Sequence, residues 1–136
     1  MNIYSFEKLE VWQKSRLLVK EIYLITKKFP EDEKFGLTSQ VRRAMISVSC
    51  NIAEGTSRWS DKEKVRFIEI AYGSLMEVVN CLILAHDLEY ISEDKILDLR
   101  SNIDIKASKL KDVYKRQLML STLLQSHMWT GRSRIH

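Results

Sequence analysis

Residues 37–58 read LTSQVRRAMISVSCNIAEGTSR, and apolar residues recur in them at Leu37, Val41, Ala44, Val48 and Ile52. Steps of three and four residues return to one side of a helix, whereas strand side chains alternate between faces. Beside this stripe runs a polar sector of Gln40, Arg43, Ser47, Asn51, Glu54 and Arg58. A third sector, roughly opposite the stripe, holds Ile46, Cys50 and Ala53. A helix with apolar residues on two sides calls for a packing partner on each. The expectation is that one partner is the helix's own bundle and the other a second copy of the chain.

The rest of the chain repeats the helical period. With 136 residues, 45 % of them hydrophobic, it has the length and composition for one domain with a real core. One proline and four glycines are too few for a turn-rich fold. Val11, Ser15, Leu18, Ile22, Ile25 and Phe29 make a seam on a first helix, widened by Trp12, Val19 and Thr26. That helix is predicted from near residues 5–8 to about 28, where Phe29-Pro30 stops it. The second helix is predicted from residue 36 or 37 to about 54, with Gly55 as a left-handed cap.

Ser60-Asp61-Lys62-Glu63 has the spacing of a capping box, so a third helix starts there and extends to about residue 90. Its polar residues occupy a narrow arc. The remaining circumference, Phe67 included, is apolar and exceeds what one small bundle covers. Self-association is therefore expected, with Ile46, Cys50, Ala53 and Phe67 as candidate interface residues. Ser92 opens a fourth helix carrying Ile96, Leu99, Ile103, Ala107, Leu110 and Tyr114. Beyond it the apolar pattern loosens through Leu118, Met119, Leu120, Leu123 and Leu124, and residues 130–136 are expected to fray. Four helices with short connections predict an all-α, antiparallel up-and-down four-helix bundle.

Function classes narrow in turn. There is no Glu-x-x-His pair of the di-iron bundle type and no glycine-rich phosphate loop. Cys50 and Cys81 lack paired zinc-ligand spacing and are read as small buried residues in a reducing cytoplasm. His86 is read as a structural histidine, and Glu54 and Glu77 as polar partners for neighbouring groups rather than a catalytic pair. The expectations are no enzyme activity, no cofactor and no metal. No basic start followed by an apolar run opens the chain, and the most apolar run, near residues 78–85, is too short to span a membrane. A cytoplasmic protein without membrane contact is expected.

The formal charge of +4 lies wholly in Lys115, Arg116, Arg132 and Arg134, since residues 1–112 balance 18 basic against 18 acidic side chains. Overall charge is thus no argument for nucleic acid. Locally, residues 34–66 carry a net +4. Arg42, Arg43, Arg58, Lys62, Lys64 and Arg66 are the candidate nucleic-acid-binding residues, with Trp59 placed to stack on a base. The competing role for Arg43 and Arg58 is an ion pair with Glu54.

Phe6, Leu9 and Val11-Trp12-Gln13 form a first motif, followed by Phe29-Pro30, Glu33, Gly36 and Leu37. Gln40-Val41-Arg42-Arg43-Ala44, Ser47-Val48, Asn51-Ile52-Ala53-Glu54-Gly55, Arg58, Gly73-Ser74 and Glu77 complete the set in order. Together they resemble the bacterial four-helix-bundle proteins encoded by intervening sequences of 23S ribosomal RNA genes. The accessory variability protein of diversity-generating retroelements is similar. The resemblance implies a bundle assembling as a homo-oligomeric ring, a homopentamer, without catalytic activity. For the retroelement relative it implies binding of RNA or DNA and of a reverse transcriptase. The motifs fade after about residue 110, where Val113-Tyr114-Lys115-Arg116-Gln117 resembles translated sequencing adapter. Residues 1–112 are therefore read as the bundle domain and 113–136 as a poorly ordered extension of non-native origin.

Overall fold

The structure, a computed structural model, describes residues 3–132, with side chains through Leu120 and at Leu123 and Ser126. Its elements are a 3₁₀ turn at Ser5–Lys8, helix α1 at Glu10–Thr26 and a second 3₁₀ turn at Glu31–Glu33. Helices α2 (Leu37–Thr56), α3 (Asp61–Asp87) and α4 (Glu93–Arg132) follow. Among the described residues there is no strand. The fold is all-α, with α1, α2, α3 and α4 packed as an up-and-down bundle. The α2–α3 seam is its most extensive and the α1–α4 seam its sparsest.

Each stripe becomes a buried face. α1 buries Val11, Ser15, Leu18, Ile22 and Thr26. Its buried hydroxyls are satisfied locally, Ser15 Oγ donating to the Trp12 carbonyl at 2.7 Å and Thr26 Oγ1 to the Ile22 carbonyl at 2.8 Å. α2 contributes Val41, Ala44, Met45, Val48 and Ile52, α3 Ala71, Leu75, Val78, Leu82 and Ala85, and α4 Ile96, Leu99, Ile103, Ala107 and Leu110. Each large aliphatic side chain so buried contributes about 1.5–3 kcal/mol over its exposed state. Cys81 is buried in this core, but Cys50 is exposed, contrary to expectation, because it lies on the outward arc of α2.

The helix ends explain several motif residues. Glu33 Oε2 accepts from the Leu37 backbone N–H at 2.8 Å, capping α2, while its Oε1 accepts from the Tyr90 hydroxyl at 3.3 Å. A Cβ on Gly36 would stand 2.8 Å from that Glu33 Oε2, so glycine keeps the capping carboxylate in place. Phe29 packs its ring 5.5 Å from Tyr90, joining the same corner. At the other end of α2 the sequence expectation is corrected. The helix runs through Gly55 to Thr56, and no described glycine has positive φ. Gly55 is required for another reason: a Cβ there would lie 2.9 Å from the Cβ of Phe67 on α3.

Ser60 caps α3 as its spacing predicts, with Oγ accepting from the Glu63 N–H at 3.2 Å. Taken over its whole length, α3 is long and apolar enough to cross a membrane, unlike the short run within it. Its buried residues pack instead between α2 and α4. α3 closes with Glu89 at φ 64°, its N–H bonded to the His86 carbonyl at 2.9 Å and that of Tyr90 to the Ala85 carbonyl at 2.8 Å. This is a Schellman ending with glutamate where glycine is usual. Ser92 then caps α4, accepting from the Lys95 N–H at 3.3 Å, and Ile91 and Ile96 on either side of it are both buried. α4 stays helical through Arg132, where fraying from Thr130 was expected. Residues 133–136 lie outside the described residues, as do the side chains of His127, Trp129 and Arg132.

Ion pairs close the α1–α4 seam. Glu10 engages both Lys14, at 2.9 Å, and Lys109, and Glu21 lies 3.3 Å from Lys95. The hydrogen bonds from Lys109 and Lys14 hold the Glu10 carboxyl far below its ordinary range, at about 2.

Candidate nucleic-acid interface

The basic residues singled out in the sequence divide into three environments. Arg42 turns toward α1, where its Nε donates to Thr26 Oγ1 at 2.8 Å and its guanidinium lies 4.4 Å from the Tyr23 ring centroid. It ties α2 to α1 and is half-buried. Neither partner was foreseen, because the period within one helix carries no information about residues on another.

Arg58 sits at the α2–α3 corner. Its Nη2 donates to Glu54 Oε1 at 2.8 Å, and its guanidinium lies 4.5 Å from the Phe67 ring centroid. The Nε of Arg58 is buried without a hydrogen-bond partner, the Phe67 ring supplying the favourable contact there. The expected pairing with Glu54 thus holds for Arg58. Arg43 is exposed and makes no ion pair among the described residues. Glu77 meets Gln40, so Glu54 and Glu77 serve separate partners.

Lys62, Lys64 and Arg66 open α3. Lys62 and Arg66 are exposed, four residues apart on one face, and Lys64 faces nearly the opposite way. Lys64 lines a cavity of about 310 Å³ with Val11, Ile52, Ile68 and Leu110. None of the three forms an ion pair among the described residues. Trp59, in the connection between α2 and α3, is wholly exposed. The corner therefore gathers Arg58, Trp59, Lys62 and Arg66. Arg43 lies on the outer side of α2, about 20 Å from Arg58 along the axis at 1.5 Å per residue.

A polar ladder runs along the α2–α3 seam from Gln40 toward the corner. Gln40 bonds Glu77, Ser47 Oγ lies 2.9 Å from Ser74 Oγ, and Asn51 Nδ2 donates to the Ser47 carbonyl at 2.7 Å. Gln40 and Ser47 thus join two helices of one protomer, while Asn51 bonds within α2. Outside the ladder, Ile46, Cys50 and Ile70 are exposed, and Ala53 is half-buried. A Cβ on the exposed Gly73 would meet nothing within 4 Å. Phe67 is half-buried between Gly55 and Arg58 within the protomer.

His86 Nε2 lies 2.6 Å from Glu93 Oε2, joining the end of α3 to the start of α4. Burial, with Glu77 nearby, pushes the Cys81 thiol upward, away from the reactive thiolate. Among the described residues no group of three His, Cys, Asp or Glu side chains converges to hold a metal.

Fold and surface define a class first: a four-helix bundle with a polar seam between α2 and α3 and exposed cations at the corner that joins them. The 23S rRNA-intervening sequence protein family matches over residues 7–112, and the chain belongs to that family. Among solved structures, the chain is similar to a protein of unknown function from the S23 ribosomal protein family of Bacteroides thetaiotaomicron VPI-5482. The TM-score is 0.71 at 23% identity, covering 77% of this chain and 98% of that one. At that identity the likeness concerns the fold. No curated protein matches the chain.

Proposed function

We propose that this chain is a non-enzymatic, homo-oligomeric bundle that binds RNA or DNA weakly through Arg58, Lys62 and Arg66 at the α2–α3 corner, with Arg43 as an outlying contact. The observation that supports this is the exposure of Arg43, Lys62 and Arg66 without a carboxylate partner among the described residues. Such cations contact phosphates without reading sequence. One protomer offers few of them, so useful affinity needs several copies presenting the same corner.

The copies meet, in this reading, through Ile46, Cys50 and Ala53 of α2 with Ile70 and Gly73 of α3, as a ring. Glycine in a helix interior costs about 1 kcal/mol relative to alanine, and no contact within the protomer calls for it at Gly73. A neighbouring copy packed there would.

The test is filter binding across a salt series, with particle mass measured in parallel. Affinity is expected to fall steeply with salt, with a slope of about −0.9 per phosphate contact on duplex and −0.7 on single strands. Arg43→Ala with Lys62→Ala and Arg66→Ala is expected to abolish binding at unchanged mass. Undetectable or salt-independent binding overturns the reading. It favours the second one, an assembly or adaptor protein recruiting a protein partner such as a reverse transcriptase. The exposed apolar strip of Ile46, Cys50 and Ile70 is the observation on that side.

A further inference from the structure

We propose that the nucleic acid taken at the α2–α3 corner is single-stranded, with one base stacked on the indole of Trp59; this rests on the nucleic-acid reading above. Trp59 is 101% exposed, and no ring or cation covers it among the described residues. The adjacent Arg58, the side chain best placed to lie over it, is turned back onto Glu54 and Phe67.

The support beneath the indole is well tied. Ser57 Oγ donates to the Glu54 carbonyl at 2.6 Å and the Arg58 N–H to the Gly55 carbonyl at 3.2 Å, closing α2. Ser60 opens α3, its Oγ accepting from the Glu63 N–H and its carbonyl from the Lys64 N–H at 3.1 Å. Trp59 is therefore presented from a short segment bonded on both sides, which lowers the ordering cost of contact.

Charge decides between strand forms. Residues 54–66 set Arg58, Lys62, Lys64 and Arg66 against Glu54, Asp61 and Glu63; Glu54 already holds Arg58, and Lys64 faces away from the corner. The surplus is too small to track a duplex groove by phosphate contacts alone. Stacking is independent of that surplus and raises affinity roughly 5- to 150-fold per base, but it needs a base free of its own stack. A duplex offers none, whereas a single strand offers one at every step. Lys62 and Arg66, one turn apart on the outward face of α3, take the neighbouring phosphates.

The experiment compares full-length protein on labelled oligo(U), oligo(dT) and a mixed-sequence duplex of equal length, by fluorescence anisotropy at low salt. Both single strands are expected to bind at least tenfold tighter than the duplex and to quench tryptophan emission. Trp59→Ala is expected to lose about tenfold on single strands and nothing on the duplex, with unchanged melting temperature, and Trp59→Phe to recover part of the loss. A preference for one single strand over the other distinguishes RNA from DNA within the proposal. Salt-dependent binding with equal affinity for duplex, or indifferent to Trp59→Ala, overturns the single-strand inference and leaves the nucleic-acid reading standing. Absence of binding to all three probes sinks both.

Discussion

Gly55 of α2 faces Phe67 of α3 so closely that a β-carbon on the glycine would stand 2.9 Å from the Phe67 Cβ. The clash is with a Cβ, which no rotamer can move, so the two helix backbones must separate to admit a methyl group. Gly55→Ala is expected to destabilise the protein by about 1–3 kcal/mol, the usual cost of overpacking. Phe67→Ala will not rescue it, because the offending atom remains. Thermal melts of the single and double variants check both statements; a rescue would mean that the ring alone sets the spacing.

Arg42 offers a second test, because its contacts differ in kind from those of a phosphate-binding residue. Its Nε bond to Thr26 and its stacking on Tyr23 both depend on the guanidinium plane. Arg42→Lys and Arg42→Ala are each expected to lower stability by about 1–2 kcal/mol in urea unfolding. At equal folded fraction they should leave nucleic-acid affinity almost unchanged. A large affinity loss in a fully folded Arg42→Lys variant would return Arg42 to the binding surface.

Glu89 holds a left-handed conformation, φ 64°, at the close of α3. A side chain there costs roughly 1 kcal/mol that glycine avoids. Glu89→Gly should therefore raise the melting temperature by a few degrees, an unusual direction for a glycine substitution. Calorimetry on the wild type and variant decides it.

The Glu10 carboxyl should titrate at about 2 in the folded protein, held down by hydrogen bonds from Lys109 and Lys14. Since the folded value lies below the ordinary 4.5, its stabilising contribution is present above that pH and fades as pH falls toward about 2. Lys109→Met should move the midpoint, followed by carboxyl NMR shifts, back toward 4.5. A midpoint unmoved by that substitution would mean that Lys14 alone is responsible.

How much of this was legible beforehand depends on the range of the interaction. The stripes of α1, α2 and α4 were readable because burial repeats every three or four residues, and Val41, Ala44, Val48 and Ile52 are all buried as their spacing demands. Ser60 and Ser92 were readable as caps because a cap is a local bond. Gly55 was misread, since its spatial neighbour Phe67 is fixed only when α2 folds against α3. The proposed basic cluster came apart for the same reason. Arg42 and Arg43 are adjacent in sequence but 100° apart on the helix, and Thr26 and Tyr23 claimed one of them. Trp59 was noticed as a residue type, but its complete exposure depended on where Arg58 turned.

The pairing of Glu10 with Lys109 and of Glu21 with Lys95 has a consequence for how the molecule comes apart. Charged bonds on long, solvent-reachable stems reinforce the sparse seam between the first helix and the last, while the middle two share the most extensive seam and a close backbone approach. Ionic strength weakens the former and leaves the latter intact. Added salt should thus loosen the outer pair well before the central hairpin gives way. Amide hydrogen exchange would register that as earlier loss of protection along the α1–α4 seam than along the central hairpin, with Leu18 and Ile22 still seating α1 in the core.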